Sequence, residues 1–151
     1  MSAAFRGVSV GAGYFSQFHY DAWARISDAD LVALCDRDQS RAEAVAREFG
    51  VPKTYADVAS MLDAEQPDFI DIITPPETHQ SIVGLAAERG VHVLCQKALA
   101  PTFADAAAIV ENAESPRKAR RPVTISYSTD PKLKTSERPS TARPSACSGD
   151  M

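Results

Sequence analysis

Two hydrophobic periods alternate along the first 114 positions. Residues 6–10, 31–35, 69–73 and 91–95 are short, mostly apolar runs rich in Val, Ile and Leu, as expected of strands buried on both faces. Between them, apolar positions recur at helical spacing. The first helix is predicted over 14–25, with Phe15, Phe18, Ala22, Trp23 and Ile26 at that spacing. The second begins at an Asp38 or Ser40 cap, carries Ala42, Val45, Ala46 and Phe49, and stops at Gly50 with Pro52 beyond. A short strand is expected near 53–55, then a helix marked by Val58, Met61 and Leu62 and ended by Pro67. Ile82, Val83, Leu85 and Ala86 carry a further helix to Gly90. A capping box of Thr102 and Asp105 opens the last, which reaches about Glu114.

Strands alternating with helices imply a parallel sheet with right-handed crossovers. The predicted class is α/β, a Rossmann-like doubly wound sheet with strand order 3-2-1-4-5. Ligands of such sheets bind beyond the carboxyl ends of the strands. Four features fall there: Gly11 to Gly13, Asp36, the Thr74-Pro75-Pro76 loop, and Gln96 with Lys97.

The first of these is the most informative. The strand ending at Val10 runs through Gly11-Ala12-Gly13-Tyr14-Phe15 into a helix. Gly11 permits a sharp turn, and Gly13 lets the backbone approach a pyrophosphate seated on unpaired helix N–H groups. Ser16 takes the third small position of the motif, where Gly or Ala is usual. Asp36 follows Ser16 by twenty residues, the distance at which an acidic side chain holds ribose hydroxyls. The reading is dinucleotide binding, with Gly11, Ala12, Gly13, Tyr14 and Phe15 as the phosphate loop and Asp36 on the ribose. Arg37 beside it suits a 2′-phosphate, which leaves NAD and NADP both open.

Composition divides the chain. The 44% hydrophobic share supports a buried core. Residues 1–114 hold 8 Lys and Arg against 17 Asp and Glu, whereas 115–151 hold 8 against 3 and five of the ten prolines. The expected organisation is a dinucleotide-binding domain over 1–114 and a basic Pro/Ser/Arg-rich tail over 115–151. The tail reads as disordered apart from one strand signalled by Val123, Ile125 and Tyr127. It lacks the fold and interleaved aromatics of a nucleic-acid binder. Cys35 and Cys95 end buried strands and read as small hydrophobes, and with Cys147 they offer no metal-ligand spacing. No run has the length of a membrane helix and no signal peptide is evident, so a cytoplasmic location is expected.

Taken in order, the Gly11 motif, Cys35-Asp36-Arg37, Thr74-Pro75-Pro76-Glu77-Thr78-His79 and Val91-His92-Val93-Leu94-Cys95-Gln96-Lys97 resemble the glucose-fructose oxidoreductase, inositol dehydrogenase and MocA family over about residues 5–114. The resemblance implies an NAD(P)-dependent oxidoreductase of sugars, polyols and related alcohols. It places Thr74, Pro75 and His79 along the cofactor wall. Lys97 matches the lysine of the family's Glu-Lys-Pro motif, which positions substrate and assists proton transfer. Gln96 and Ala98 depart from that motif.

Other readings stand beside these. Lys97 also fits a solvated loop lysine, Asp36 a turn residue, and His79 a polar surface or capping group in a helix's first turn. His19 and His92 have no partner pattern and are read as structural. The family's second, substrate-binding domain is not recognisable after Glu114, which predicts a truncation or a shifted reading frame, with exposed surface that favours self-association. Alternatives to a dehydrogenase module are a non-catalytic dinucleotide-binding remnant and a methyltransferase-like binder on the same architecture.

Overall fold

The structure, a computed structural model, describes residues 4–114 and 124–127. Its elements are β1 (Phe5–Val10), α1 (Ser16–Trp23), β2 (Ala29–Cys35), α2 (Gln39–Phe49), β3 (Thr54–Tyr55), α3 (Val58–Glu65), β4 (Phe69–Ile72), α4 (His79–Arg89), β5 (His92–Cys95), α5 (Phe103–Glu114) and β6 (Ile125–Tyr127). A single 3₁₀ turn, Pro76–Thr78, precedes α4. The sheet order is β3-β2-β1-β4-β5-β6 and every pairing is parallel.

The expected order of five strands is therefore present, and β6 extends it by one. That strand lies on the alternation at Ile125 and Tyr127 and pairs with the outer edge of β5. The expectation of disorder elsewhere in the tail lies outside the described residues.

Local signals set the helix ends. The Asp38 carboxylate accepts from the Arg41 N–H at the start of α2, and Gly50 closes that helix with φ 72°. Asp57 caps α3 in the same way. Thr102 and Asp105 form the reciprocal capping box of α5. Such caps satisfy N–H groups that the first helical turn leaves without partners.

The two faces of the sheet differ in chemistry. Val8, Val10, Ile70, Ile72, Val93 and Cys95 point toward α3, α4 and α5, where they meet Met61, Leu62, Val83, Ala86 and Ile109. Each fully buried side chain of this size contributes about 1.5–3 kcal/mol. The alternate positions Ser9 and Asp71 are polar, yet both are buried. Their partners come from α1. Tyr20 bonds Ser9, while His19 and Trp23 both bond the Asp71 carboxylate.

This corrects the expected apolar face of α1. Ser16 and Tyr20 are its buried residues, while Phe15, Phe18, Ala22 and Ile26 are exposed. The helix covers a sheet face that presents a hydroxyl and a carboxylate, so it turns hydrogen-bonding side chains inward.

Candidate functional site

Strand register gathers the candidate residues on one edge. Val10 is the Cα partner of Cys35 and of Ile72, and Ile72 is the partner of Cys95. These four residues form one row across the sheet. The positions that follow them, Gly11, Asp36, Ile73 and Gln96, form the next row, from which the chain leaves the sheet.

Gly11 has φ +114°, and a Cβ there would stand 2.9 Å from the Ile73 carbonyl oxygen. Only glycine fits this combination of left-handed backbone and close packing. The turn is fastened from three sides. The Gly11 N–H donates to the Cys35 carbonyl, the Tyr20 hydroxyl donates to the Gly11 carbonyl, and the Ser16 hydroxyl donates to the Gly13 carbonyl at 2.6 Å. Ser16 thus fills the third small position of the motif and closes the turn as well. Sequence reasoning did not single out Tyr20, whose burial pushes its phenol above the usual range.

Gly13 faces the other way. A Cβ there would meet nothing within 4 Å, so the surface beyond it is open. The N–H groups of Gly13, Tyr14 and Phe15 make no hydrogen bond among the described residues. Three donors at the N-terminal end of α1 beside an open glycine suit an anionic group. Tyr14 and Phe15 stand out from this turn, Tyr14 being 82% exposed.

The Ala12 N–H is already committed. It donates to Asp36 Oδ2 at 2.7 Å, and the Asp38 N–H donates to Oδ1 at 2.8 Å. Two backbone donors therefore aim the carboxylate at the phosphate turn. Arg37 is exposed and makes no ion pair among the described residues.

On the opposite side, Thr74 and Pro75 leave β4, and the Thr74 and Thr78 hydroxyl oxygens lie 2.6 Å apart. His79 is 0% exposed and so is not at a surface. Its Nε2 lies 2.7 Å from the Thr74 carbonyl oxygen and its Nδ1 2.9 Å from that of Leu99. The imidazole sits behind the edge and ties the loop after β4 to the loop after β5. The Cys95 thiol, pushed up to about 12 by burial, stays protonated and lies 3.2 Å from Nδ1.

Lys97 is exposed on the loop after β5, and its peptide bond to Ala98 is cis. Its ammonium has no partner among the described residues. Its backbone N–H donates to Gln96 Oε1 at 2.8 Å. His19, read as structural from sequence, bridges Asp71 and Gln96. His92, read the same way, is exposed and accepts from the Thr124 N–H.

Among the described residues, cavities of about 180 and 170 Å³ lie away from this edge. Tyr20, Trp23 and Phe49 help line the first, and Val83, Gly84 and Ile109 the second. Among the described residues, no group of three or more His, Cys, Asp or Glu side chains is placed to hold a metal ion. No helix among them is long and apolar enough to cross a membrane.

Comparison with known proteins agrees with this fold. Residues 5–122 match the model of an oxidoreductase family with an NAD-binding Rossmann fold. D-apiose dehydrogenase of Paraburkholderia graminis is 48% identical over 110 residues, which cover 73% of this chain and 29% of that protein. Among solved structures, an oxidoreductase from Agrobacterium radiobacter in complex with NAD+, L-tartaric acid and magnesium superposes with TM-score 0.73 at 32% identity. That match covers 82% of this chain and 35% of the other. The WlbA dehydrogenase of Chromobacterium violaceum, in complex with NADH and UDP-GlcNAcA, gives TM-score 0.73 at 25% identity over 83% of this chain and 35% of its own. The chain thus spans about a third of the length of these relatives.

Proposed function

The chain belongs to the oxidoreductase family with the NAD-binding Rossmann fold, and from that premise we propose that its sheet edge binds NAD in preference to NADP and presents Lys97 to a sugar, polyol or related alcohol. The observation that carries the proposal is the shared row. Gly11, Asp36 and Gln96 directly follow residues that are in register, so the phosphate turn, the acidic side chain and the lysine loop share one edge.

The residues present fit a dinucleotide. The N–H groups of Gly13, Tyr14 and Phe15 hold the pyrophosphate against the open side of Gly13. Asp36, aimed by two backbone donors, accepts from the adenosine ribose hydroxyls. Its negative charge disfavours a 2′-phosphate at the same place, although Arg37 stands beside it. Thr74 and Pro75 border the site from the neighbouring loop, and His79 supports that loop from behind.

When bound, the nicotinamide supplies hydride transfer. In the reducing direction the Lys97 ammonium, unpaired among the described residues, would donate to the substrate carbonyl oxygen and give it a proton from Nζ as negative charge develops there. In the oxidising direction the neutral amine would take the hydroxyl proton. The relatives that act on sugars by name support this choice of substrate class.

The test is backbone amide mapping by NMR during titration with NAD+. Shifts concentrated at residues 11–15, 36 and 74–76 support the proposal. Shifts confined to the cavity between α4 and α5 would overturn it.

A further inference from the structure

The loop carrying Lys97 is exposed, and a lysine side chain has four flexible carbons. What the protein can control is where the Lys97 backbone sits. The Gln96 N–H donates to the Ile72 carbonyl at 2.9 Å, which keeps residue 96 at the sheet edge. The Lys97 N–H is one step beyond the sheet and donates to Oε1 of the preceding Gln96.

That contact fixes the orientation of the Gln96 amide. If Oε1 accepts from Lys97, then Nε2 is the end turned to His19, whose own Nε2 lies 3.1 Å away. An amide nitrogen can only donate, so the imidazole accepts at Nε2. The other ring nitrogen, Nδ1, lies 2.9 Å from Asp71 Oδ2, an oxygen that also accepts from Trp23 Nε1 at 2.7 Å. A carboxylate can only accept, so the His19 proton is on Nδ1. Each link of this chain thus pairs a donor with an acceptor. Asp71, 2% exposed on β4, is the fixed end, since a buried carboxylate needs partners and both of these come from α1.

We propose that Gln96 is a positioning residue for Lys97, acting through a relay in which Asp71 orients His19, His19 holds the Gln96 amide, and the Gln96 carbonyl holds the Lys97 N–H. The relay spans α1, β4 and the loop after β5, and so makes the lysine's place depend on the helix that opens at the phosphate turn. Its bearing on the reaction rests on the role proposed above for Lys97. A glutamate at position 96 would face the Nε2 lone pair with a second carboxylate, so Gln96 and the Nδ1–H form of His19 are a matched pair.

The experiment uses the cofactor-free full chain, with ¹⁵N-labelled histidine and amide hydrogen exchange read by NMR. In the wild type the His19 ring, assigned by through-bond correlation to the His19 backbone, shows the proton on Nδ1. Lys97 amide exchange rises about tenfold in Gln96→Leu, the loss of one hydrogen bond. It rises similarly in His19→Phe, although His19 does not touch Lys97. A His19 proton on Nε2, or a Lys97 amide unchanged in His19→Phe, would overturn the relay. The wild-type ring spectrum decides the matter alone if a variant does not fold. Because no cofactor is present, failure to bind NADH would refute the role of Lys97 in the reaction and leave this result untouched.

Discussion

The hydroxyl of Tyr20 donates to the carbonyl oxygen of Gly11 across 2.8 Å, so the helix that follows the phosphate turn also locks it. The same hydroxyl lies 2.8 Å from Ser9 Oγ on β1, and Tyr20 is 1% exposed. Strand, turn and helix are thereby joined at one buried oxygen atom.

Replacing Tyr20 by Phe keeps the ring and removes that oxygen. The Gly11 carbonyl and the Ser9 hydroxyl then lose a buried partner, a cost of about 1–3 kcal/mol. Urea denaturation should show a lowered midpoint with an unchanged slope. NADH should bind more weakly, because the turn is no longer held.

Gly11→Ala is expected to be costly for a different reason. The new Cβ meets the Ile73 carbonyl at 2.9 Å with φ at +114°. A non-glycine residue in such a conformation costs about 1–3 kcal/mol. Thermal unfolding should show a lower midpoint than in Gly50→Ala, where φ is also positive but a Cβ meets nothing within 4 Å.

Asp36→Ala removes the acceptor aimed at the ribose. NADH affinity should fall, and affinity for NADPH should fall less or rise, because the charge facing a 2′-phosphate is gone. Parallel titrations with the two cofactors measure the ratio. An unchanged ratio would remove Asp36 from cofactor choice.

Acid stability depends on Glu65. Its buried carboxylate takes hydrogen bonds from Tyr55 and Lys53 and faces Arg6, tying α3 to β3 and β1. The Tyr55 hydrogen bond, then the Lys53 one, hold its carboxyl below the usual glutamate range. A carboxyl with a depressed folded-state pKa stabilises the fold above its unfolded value, about 4.3, and loses that contribution as pH falls through its folded value. Wild type should therefore exceed Glu65→Gln in stability near neutral pH. That gap should close below about pH 4, as measured by urea denaturation at a series of pH values.

Much of the sheet was legible in the sequence because its signals are local. Short apolar runs end at glycines, prolines and caps, and the residues after those runs mark the ligand edge wherever the strands end in register. The facing of α1 was not legible from apolar spacing. Phe15 and Phe18 repeat at helical spacing just as Ser16 and Tyr20 do, and an apolar criterion selects the wrong pair. The clue lay in the strands, where Ser9 and Asp71 interrupt otherwise apolar runs and so need polar partners from the covering helix. The surface reading of His79 failed for a similar reason. Its helix position suggested a surface, but Thr74 and Leu99, far apart in sequence, supply the carbonyls around its ring. β6 needed the free edge of β5 to become a strand, since three residues form no sheet alone.

The most direct test is a fluorescence titration of the wild-type chain and Gly13→Val with NADH. Position 13 is exposed and a Cβ there meets nothing of the protein within 4 Å, so the variant should fold normally while its side chain fills the space taken by the pyrophosphate. Saturable binding to the wild type that is lost or weakened in a folded Gly13→Val is the predicted result. Equal binding to both, or none to a folded wild type, would contradict the account.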